Sequence, residues 1–430
     1  MDREDWRLFL KQWSEEWIAG HDPERDAPLD EEVVRDGWLG FTPASADEVA
    51  AAEVRLGRPL PPSLREFLLV TNGWRDAGNF IYRLAGTSEL DWLRDTDDDS
   101  HWIEAYSGYA DEGEIDDGDI LGRSLRLSLE GDAAILFLDP DDVDDSGEWA
   151  GYWLASWSGE GPERHGSFYD LMYGQYASFH ALRKPQGETR DRWDAKVEQA
   201  RLAALAGEID EPLAVLEQAQ KFGRDRAALL RFQLLAMLGN WYAASLSNTV
   251  LHTDDRPGLL GSPLFATELL PLLFAEDRLT HHAELHTLQQ LMRTESEPVQ
   301  VLIAEYQARL RDPGFRLTFG NPEFDAPVHR IVDRLAADPA FQVPDPFKAS
   351  RGSSGFVTGS HFEDFEQAKE ARRRLTDAAW PELRESIGSW RPVSEDHIAP
   401  VALFADPILA EMITPERGRE ILSMRRGGPR

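Results

Sequence analysis

Length, composition and charge narrow the classes of protein to which this chain can belong. Its 430 residues suffice for two or three domains, and 42% hydrophobic with 29% charged residues suits globular domains. The chain has no cysteine, which excludes disulfides, cysteine-ligated zinc and thiol nucleophiles and fits a reducing cytoplasm. It shows neither a basic, apolar leader nor roughly 18 consecutive apolar residues, so we expect no secretory signal and no membrane span.

The formal net charge of −33 bears on the partners of the protein. An acidic surface is expected to repel nucleic acid and anionic membranes and to attract basic proteins. The alternative explanation is that the acidity only keeps the protein in solution.

Helix signals dominate the first 75 residues. A Trp-rich segment, Trp6 to Ile18, predicts the first helix. Ser45-Ala-Asp-Glu48 is a capping box that predicts the start of another helix, and Gly57 predicts its end. The segment Leu60-Pro61-Pro62-Ser63 opens a further helix, which Asn72-Gly73 ends.

Strand signals follow these helices. The segment Leu125 to Leu129 alternates apolar with polar residues, Ala133 to Leu138 is a continuous apolar run, and Trp149 to Trp157 alternates again. Three strands joined by short turns predict an antiparallel meander. A helix from Ser167 to Leu182 would close the domain, which we place at residues 1–185.

The remainder of the chain is predicted to contain two more regions. Residues 190–311 are predicted to be helical, and residues 315–430 to form a small mixed α/β region of unknown role. In the mixed region we expect strands at Arg316 to Phe319 and Val401 to Phe404, helices that include one capped by Thr414 and Pro415, and a frayed basic tail. The tail contains Arg425, Arg426 and Arg430.

Two stretches of the helical region resemble each other. They end at Gly207 and Gly239, 32 residues apart. The pattern is similar to tetratricopeptide (TPR) helical pairs, whose period is about 34 residues.

The acidic residues are concentrated in one part of the first domain. Between Asp91 and Glu148 the sequence has 20 Asp or Glu and 3 Arg, a net charge of −17. They lie beside predicted strands, and we hypothesise that they steer a basic protein toward two aromatic anchors. For each tryptophan a place in the core is the equally weighted alternative. The candidate partner-binding residues are Trp74, Asp97, Asp98, Asp99, Trp102, Asp116, Asp117, Asp141 and Asp142.

No motif of enzyme chemistry is present in the sequence. It lacks a GxSxG elbow, an HExxH pair, a Walker A loop and a GxGxxG fingerprint after a strand. His282 and His286 are spaced as a metal-binding pair on a helix would be, but no third ligand is near. The acidic run Asp139 to Gly147 does not have the order of an EF-hand. We therefore predict no cofactor, no metal site and no enzymatic activity.

Several short elements in a fixed order resemble the SUKH superfamily of Smi/Knr-like domains. The first half of the pattern comprises Ala52-Glu53-Val54-Arg55-Leu56-Gly57, Leu60-Pro61, Phe67-Leu68 and Thr71-Asn72-Gly73-Trp74. The second half comprises Ile135 to Pro140, Gly147-Glu148-Trp149, Trp153 to Trp157 and Ser167-Phe168. The resemblance implies an α+β fold, with an antiparallel sheet and flanking helices in the N-terminal region.

This superfamily includes fungal regulators of cell-wall synthesis and many bacterial immunity proteins, so the resemblance implies protein binding. We therefore predict a non-enzymatic, cytoplasmic protein-binding module, with neutralisation of a basic toxin as the leading interpretation. Two alternatives stay open. One is a regulatory scaffold that uses the TPR-like helical region, and the other is an enzyme in the C-terminal region.

Overall fold

The chain forms two compact units in the structure, which is a computed structural model. The N-terminal unit comprises Met1–Arg192 and Lys221–Gly223, and the C-terminal unit comprises Trp193–Gln220 and Arg224–Arg430. The division of the second half into a helical and a mixed region stays a prediction. The structure describes residues 1–24, 26–96, 101–108, 115–240, 250–251, 256–275, 291, 293, 296–344 and 359–427.

The helices of the N-terminal unit begin and end largely where their capping residues stand. The predicted capping box is confirmed, because the Ser45 hydroxyl accepts the N–H of Glu48 and the Glu48 carboxylate accepts the N–H of Ser45. Gly57 has a φ of 76°, a left-handed conformation that favours glycine, and the helix ends there. The helices are α1 (Arg3–Ala19), α2 (Glu31–Asp36), α3 (Ala46–Leu56), α4 (Pro62–Leu68), α5 (His101–Ala105), α6 (Asp117–Arg123) and α7 (Phe168–Arg183).

Two antiparallel sheets lie among these helices. One has the strand order β1-β2-β5 and the other the order β3-β4-β6-β7-β8. The strands are β1 (Trp74–Arg75), β2 (Ile81–Leu84), β3 (Asp91–Trp92), β4 (Leu125–Arg126), β5 (Ser128–Gly131), β6 (Ala134–Val143), β7 (Trp149–Ala155) and β8 (Glu163–His165). The α+β class predicted from the sequence is confirmed.

The meander differs from the prediction in its first strand. The order β4-β6-β7 is as expected, but the segment from residue 125 to 129 is divided between the two sheets. At Leu127 the N–H donates to the Leu136 carbonyl at 2.9 Å, whereas the carbonyl accepts the N–H of Ala85 at 2.8 Å. The alternating pattern is compatible with either sheet, so it did not reveal the change of partner.

The five-stranded sheet is covered on both faces. On one face a single cluster of buried residues joins the sheet to α5 and α6; it contains Leu93, Trp102, Leu121, Ile135, Phe137, Ala150, Tyr152 and Leu154. On the other face α7 approaches β7 closely. A Cβ atom at Gly151 would lie 3.0 Å from the Leu171 side chain and 3.1 Å from the Ser167 carbonyl oxygen, so a larger residue here would have to displace α7 by a few tenths of an ångström.

A buried carboxylate joins α1 to α7 in the N-terminal unit. Glu16 is 6% exposed, and its Oε2 lies 2.9 Å from the Nε2 of His180 and accepts the hydroxyl of Tyr176. Its Oε1 accepts the N–H of Thr189 at 3.0 Å. Burial by itself would raise the pKa of Glu16, but these hydrogen bonds outweigh burial and hold the pKa at about 2.

Glu16→Gln is expected to lower the free energy of unfolding near pH 7 by about 3 kcal/mol, because the charged acceptor is lost. The pKa of Glu16 in the folded protein lies below its ordinary value of 4.5. The stabilisation is therefore fully present above about pH 4.5 and is lost as the pH falls toward 2. Urea denaturation at several pH values, followed by tryptophan fluorescence, should show the difference between wild type and variant shrinking in acid.

Glu15→Gln, an exposed neighbour on the same helix, is the matched control and should change stability by no more than about 0.5 kcal/mol. A difference between wild type and Glu16→Gln that is independent of pH would contradict the assignment of this pKa.

Every regular element among the described residues of the C-terminal unit is helical. The first helices are α8 (Glu188–Ala206), which contributes residues to both units, α9 (Asp210–Lys221) and α10 (Asp225–Met237). The later helices span Arg256–Leu260, Leu270–Phe274, Glu297–Leu310, Pro322–Ala336, Pro339–Gln342, Gly359–Ser386, Pro407–Met412 and Pro415–Ser423. No described helix has both the length and the apolar character needed to cross a membrane.

Two strand predictions in this unit are wrong. Val401–Ala405 forms a 3-10 helix, and the segment from Arg316 to Phe319 has no regular secondary structure. A short, fully buried apolar run has no periodicity that distinguishes a strand from a helical turn. Pro400 and Pro407, which flank the first segment, also favour a short turn over an extended strand.

The basic tail is anchored at one of its arginines. Arg426 is 3% exposed and donates hydrogen bonds from Nε to the Ile398 carbonyl at 3.0 Å and from Nη2 to the Ala204 carbonyl at 2.6 Å. Burial lowers the pKa of its guanidinium to about 10. The prediction of a frayed end is therefore wrong for Arg426, and Arg430 lies outside the described residues.

A fully buried Glu–His pair lies in the core of the C-terminal unit. Glu268 belongs to a π-helix, Phe265–Leu269, and its Oε1 lies 3.1 Å from Nε2 of His397. Its Oε2 accepts the N–H of Ala402 at 2.6 Å. The N–H of Val393 donates to Nδ1 of His397 at 3.1 Å, which assigns the imidazole proton to Nε2. This Nε2 donates to the Ala399 carbonyl at 3.0 Å, and Glu268 Oε1 lies beside it.

Glu268→Ala is expected to lower the free energy of unfolding of the C-terminal unit by about 3–5 kcal/mol, because a buried pair loses one partner. The exposed Glu305→Ala in the same unit is the control and should stay within about 0.5 kcal/mol of wild type. Hydrogen exchange of peptides around residues 393–405 measures the effect locally. Equal protection in the two variants would contradict a structural role for this pair.

Candidate protein-interaction site

Two glutamates from the sequence elements that resemble the SUKH superfamily, Glu53 and Glu148, form hydrogen bonds with the turn that begins α4. Glu53 Oε1 accepts the N–H of Leu60 at 3.1 Å. Glu148 accepts both the N–H of Ser63, at 2.8 Å, and its hydroxyl, at 2.6 Å. Residues from α3 and from the β6–β7 turn thus meet at one segment, and their carboxylates serve the fold itself.

Two further residues of these elements also have structural roles. Asn72 Oδ1 accepts the N–H of Thr87 at 2.7 Å, which connects the end of the α4 region to the loop after β2. Asp139 has no solvent exposure and accepts two hydrogen bonds from Arg123, at 2.8 and 2.6 Å. The carboxylate of Asp139, like those of Glu53 and Glu148, is therefore engaged within the domain.

Glu148→Ala is expected to lower the free energy of unfolding by about 2 kcal/mol, because two donors on Ser63 lose a charged acceptor. Asp145→Ala, an exposed carboxylate of the same turn, is the matched control and should be near-neutral. Thermal unfolding followed by circular dichroism compares the two variants. If both variants shift the midpoint of thermal unfolding equally, the hydrogen bonds from Ser63 to Glu148 do not stabilise the domain.

The structure places the two candidate tryptophans in different surroundings. Trp74 has no solvent exposure and packs against Trp13 and Trp38, with ring centroids 6.0 and 5.2 Å away. Its position agrees with the core alternative and does not support direct contact with a partner. Trp102 is 6% exposed, lies 6.0 Å from Tyr106 and lines a cavity of the N-terminal unit.

Of the two candidate aspartates at the start of α6, one forms hydrogen bonds with the backbone and the other is half-buried. Asp116 caps the helix through the N–H of Gly118 at 2.9 Å and also accepts the N–H of Gly108 at 2.6 Å. Asp117 is half-buried, and burial together with the charge of Asp116 raises the pKa of Asp117. The candidate residues Asp97, Asp98 and Asp99 lie outside the described residues.

The candidate aspartates at the end of β6 differ in how far their charge is compensated. Asp142 accepts two hydrogen bonds from Arg164, at 2.6 and 2.8 Å, and one from the Tyr152 hydroxyl at 3.0 Å. The hydrogen bonds from Arg164 lower the pKa of Asp142 despite partial burial. Asp141 is well exposed, and its nearest cations, Arg58 and Arg123, lie 3.6 and 3.8 Å away.

Sequence spacing did not distinguish the carboxylates that stay uncompensated, because only the positions of the arginines in the fold identify them. Between Asp91 and Glu148, six described and exposed carboxylates make no ion pair with another described residue. They are Glu104, Asp119, Glu130, Asp132, Asp144 and Asp145.

A cavity of about 490 Å³ opens between α5 and the β5–β6 turn. This volume lies within the range of ligand-binding pockets, about 300–1,000 Å³. We call it the aromatic pocket, because Tyr82, Trp102 and Tyr106 line it together with Glu130. Tyr82 is 47% exposed and so reaches the surface, whereas Trp102 belongs to the inner wall.

An exposed aromatic residue stands next to the aromatic pocket. Trp157 is 52% exposed and packs against Phe80 and Trp153, with centroids 4.9 and 5.8 Å away. Its Nε1 donates to the Asp132 carbonyl at 3.3 Å, and the preceding residue, Ser156, lines the pocket. The sequence pattern placed Trp157 at the end of a strand, but β7 ends at Ala155 and leaves this ring at the surface.

Comparison with known proteins identifies the domain that contains this site. Residues 43–176, about a third of the chain, match the model of the SMI1 / KNR4 family (SUKH-1). No curated protein and no solved structure matches the chain. The matched range contains both sheets, the aromatic pocket and the acidic residues, and it agrees with the resemblance found in the sequence. The N-terminal unit of this chain therefore carries a SUKH domain of the SMI1/KNR4 family.

Proposed function

We propose that the SUKH domain is a protein-binding module that receives a basic partner at the aromatic pocket, with neutralisation of a toxin as its specific role. The observation that carries this proposal is the set of exposed, uncompensated carboxylates around a cavity with aromatic walls. Glu130 lines the cavity, Asp132 lies between two lining residues, and Glu104 precedes a third.

The charges favour a basic partner on electrostatic grounds. The segment from Asp91 to Glu148 has a net charge of −17, and one of its three arginines, Arg123, is engaged by buried Asp139. Exposed carboxylates act over a Debye length of about 8 Å at physiological salt. They raise the rate of association with a cationic surface, and salt weakens this effect.

Binding, and not catalysis, is supported by where the engaged carboxylates lie. Glu53, Glu148 and Asp139 each accept hydrogen bonds from the domain's own backbone or side chains. Carboxylates around the aromatic pocket, such as Glu104, Glu130 and Asp132, are exposed to water, where they contribute to long-range attraction. The buried Glu268–His397 pair does not favour an enzyme in the C-terminal unit either, because both side chains are fully shielded from solvent.

A regulatory scaffold is the second candidate. The observation that favours it is the extent of the helical C-terminal unit, which lies outside the family match. A scaffold is expected to bind several partners, whereas an immunity protein is expected to bind one toxin at fixed stoichiometry. Co-purification with the products of the neighbouring reading frames distinguishes these two functions.

The double variant Glu104→Lys/Asp132→Lys is expected to slow association with a basic partner at least about tenfold at low salt and to flatten its salt dependence. The control, Glu24→Lys/Asp191→Lys, changes the net charge equally at exposed positions away from the pocket. Surface plasmon resonance of each neighbouring gene product against the full chain measures both variants. Equal slowing by the two pairs would contradict a localised binding site.

A further inference from the structure

We propose that the aromatic pocket binds the side chain of one arginine presented by the partner protein. This inference rests on the proposed function for its choice of a basic partner, and it specifies which chemical group the SUKH domain recognises.

The walls of the pocket suit a flat cation. Trp102 and Tyr106 lie with centroids 6.0 Å apart and their rings within 23° of parallel, and Tyr82 stands at the mouth. A guanidinium is attracted to the faces of such rings, and arginine makes this contact more often than lysine. The rest of the lining consists of small residues together with His101, Leu129 and Ile135; the small residues are Ala105, Ser128, Gly131, Ala133, Ala134 and Ser156.

The mouth of the pocket carries negative charge. Glu130 makes no ion pair within the described residues. Arg83, which faces Glu130 across the β2–β5 pair, is bound instead to Glu89 at 2.5 Å. Burial raises the pKa of Tyr82, and the neighbouring charges of Asp132 and Asp76 raise it further.

The same unit binds its own arginines with similar components elsewhere. Arg75 lies 3.9 Å from the ring centroid of Phe41 and 2.6 Å from a carboxylate oxygen of Asp30. Arg183 lies 4.6 Å from the ring centroid of Trp17 and 2.7 Å from a carboxylate oxygen of Asp26. In both places one guanidinium contacts the face of an aromatic ring and also forms an ion pair with a carboxylate.

The aromatic pocket has both components, but no Lys or Arg is among the described residues that line it. A guanidinium supplied by another molecule would complete the same arrangement in a pocket that His101 also lines. Charge complementarity selects a basic protein as that molecule, because the surrounding segment from Asp91 to Glu148 carries a net charge of −17.

The test uses the full chain and three capped tripeptides, with Arg, Lys or citrulline between two glycines. Citrulline has the shape of arginine without its charge. Methyl-labelled alanine and isoleucine report binding by NMR, since Ala105, Ala133, Ala134 and Ile135 line the pocket. We expect the arginine peptide to shift these methyl signals and to bind at least about tenfold more tightly than the citrulline peptide, with lysine intermediate.

Glu130→Gln should weaken binding of the arginine peptide about fivefold to tenfold, and Tyr82→Ser should weaken it similarly. Both side chains reach the surface, and the exposed Glu160→Gln serves as a control that leaves affinity unchanged. Equal affinity for arginine and citrulline, methyl shifts away from the pocket, or full affinity in Glu130→Gln would each overturn the proposal.

The same variants separate this inference from the proposed function. If Glu130→Gln/Tyr82→Ser leaves dissociation of the basic partner unchanged while Glu104→Lys/Asp132→Lys slows its association, the arginine site is overturned and protein binding stands. If the arginine peptide binds as expected but no basic protein does, the arginine site stands and the proposed function fails.

Discussion

The backbone at Leu127 connects the two sheets, and the candidate site depends on this connection. Its N–H is bound in the five-stranded sheet and its carbonyl in the three-stranded one, through Leu136 and Ala85. Since an unpaired backbone group in the core is costly, both hydrogen bonds keep the chain at this crossing. Immediately after it, β5 pairs with β2 and brings Glu130 close to Tyr82 at the mouth of the aromatic pocket.

The acidic residues of the N-terminal unit serve two different purposes, which a count of them does not distinguish. Asp139, Glu148 and Glu16 are partly or fully removed from water and accept hydrogen bonds that offset the cost of burying a charge. Carboxylates such as Glu130 and Asp132 are exposed and have no ion-pair partner in the part of the chain that the structure describes, so their charge acts outward. A basic partner would contact the exposed carboxylates, whereas the hydrogen-bonded carboxylates stabilise the fold that positions them.

Local signals in the sequence predicted much of the fold. The capping box at Ser45, the glycine stop at Gly57 and the N-cap at Thr414 are confirmed, because each depends only on neighbours within a few residues. Predictions failed where distant partners decide the outcome. The segment from Val401 to Phe404 lies in a 3-10 helix. Arg426 is buried because a carbonyl group far away in the sequence, that of Ala204, accepts a hydrogen bond from its guanidinium.

For the candidate site, the sequence by itself determined the kind of residues and their concentration: carboxylates and aromatic rings between residues 74 and 157, in an order that resembles a known family. Only the tertiary structure decided which of them are available to a partner. Trp74 packs in the core, whereas Trp102 lines a cavity. Whether a carboxylate is compensated depends on where the arginines lie in space, and sequence spacing does not contain that information, because ion pairs act over distances of about 4 Å.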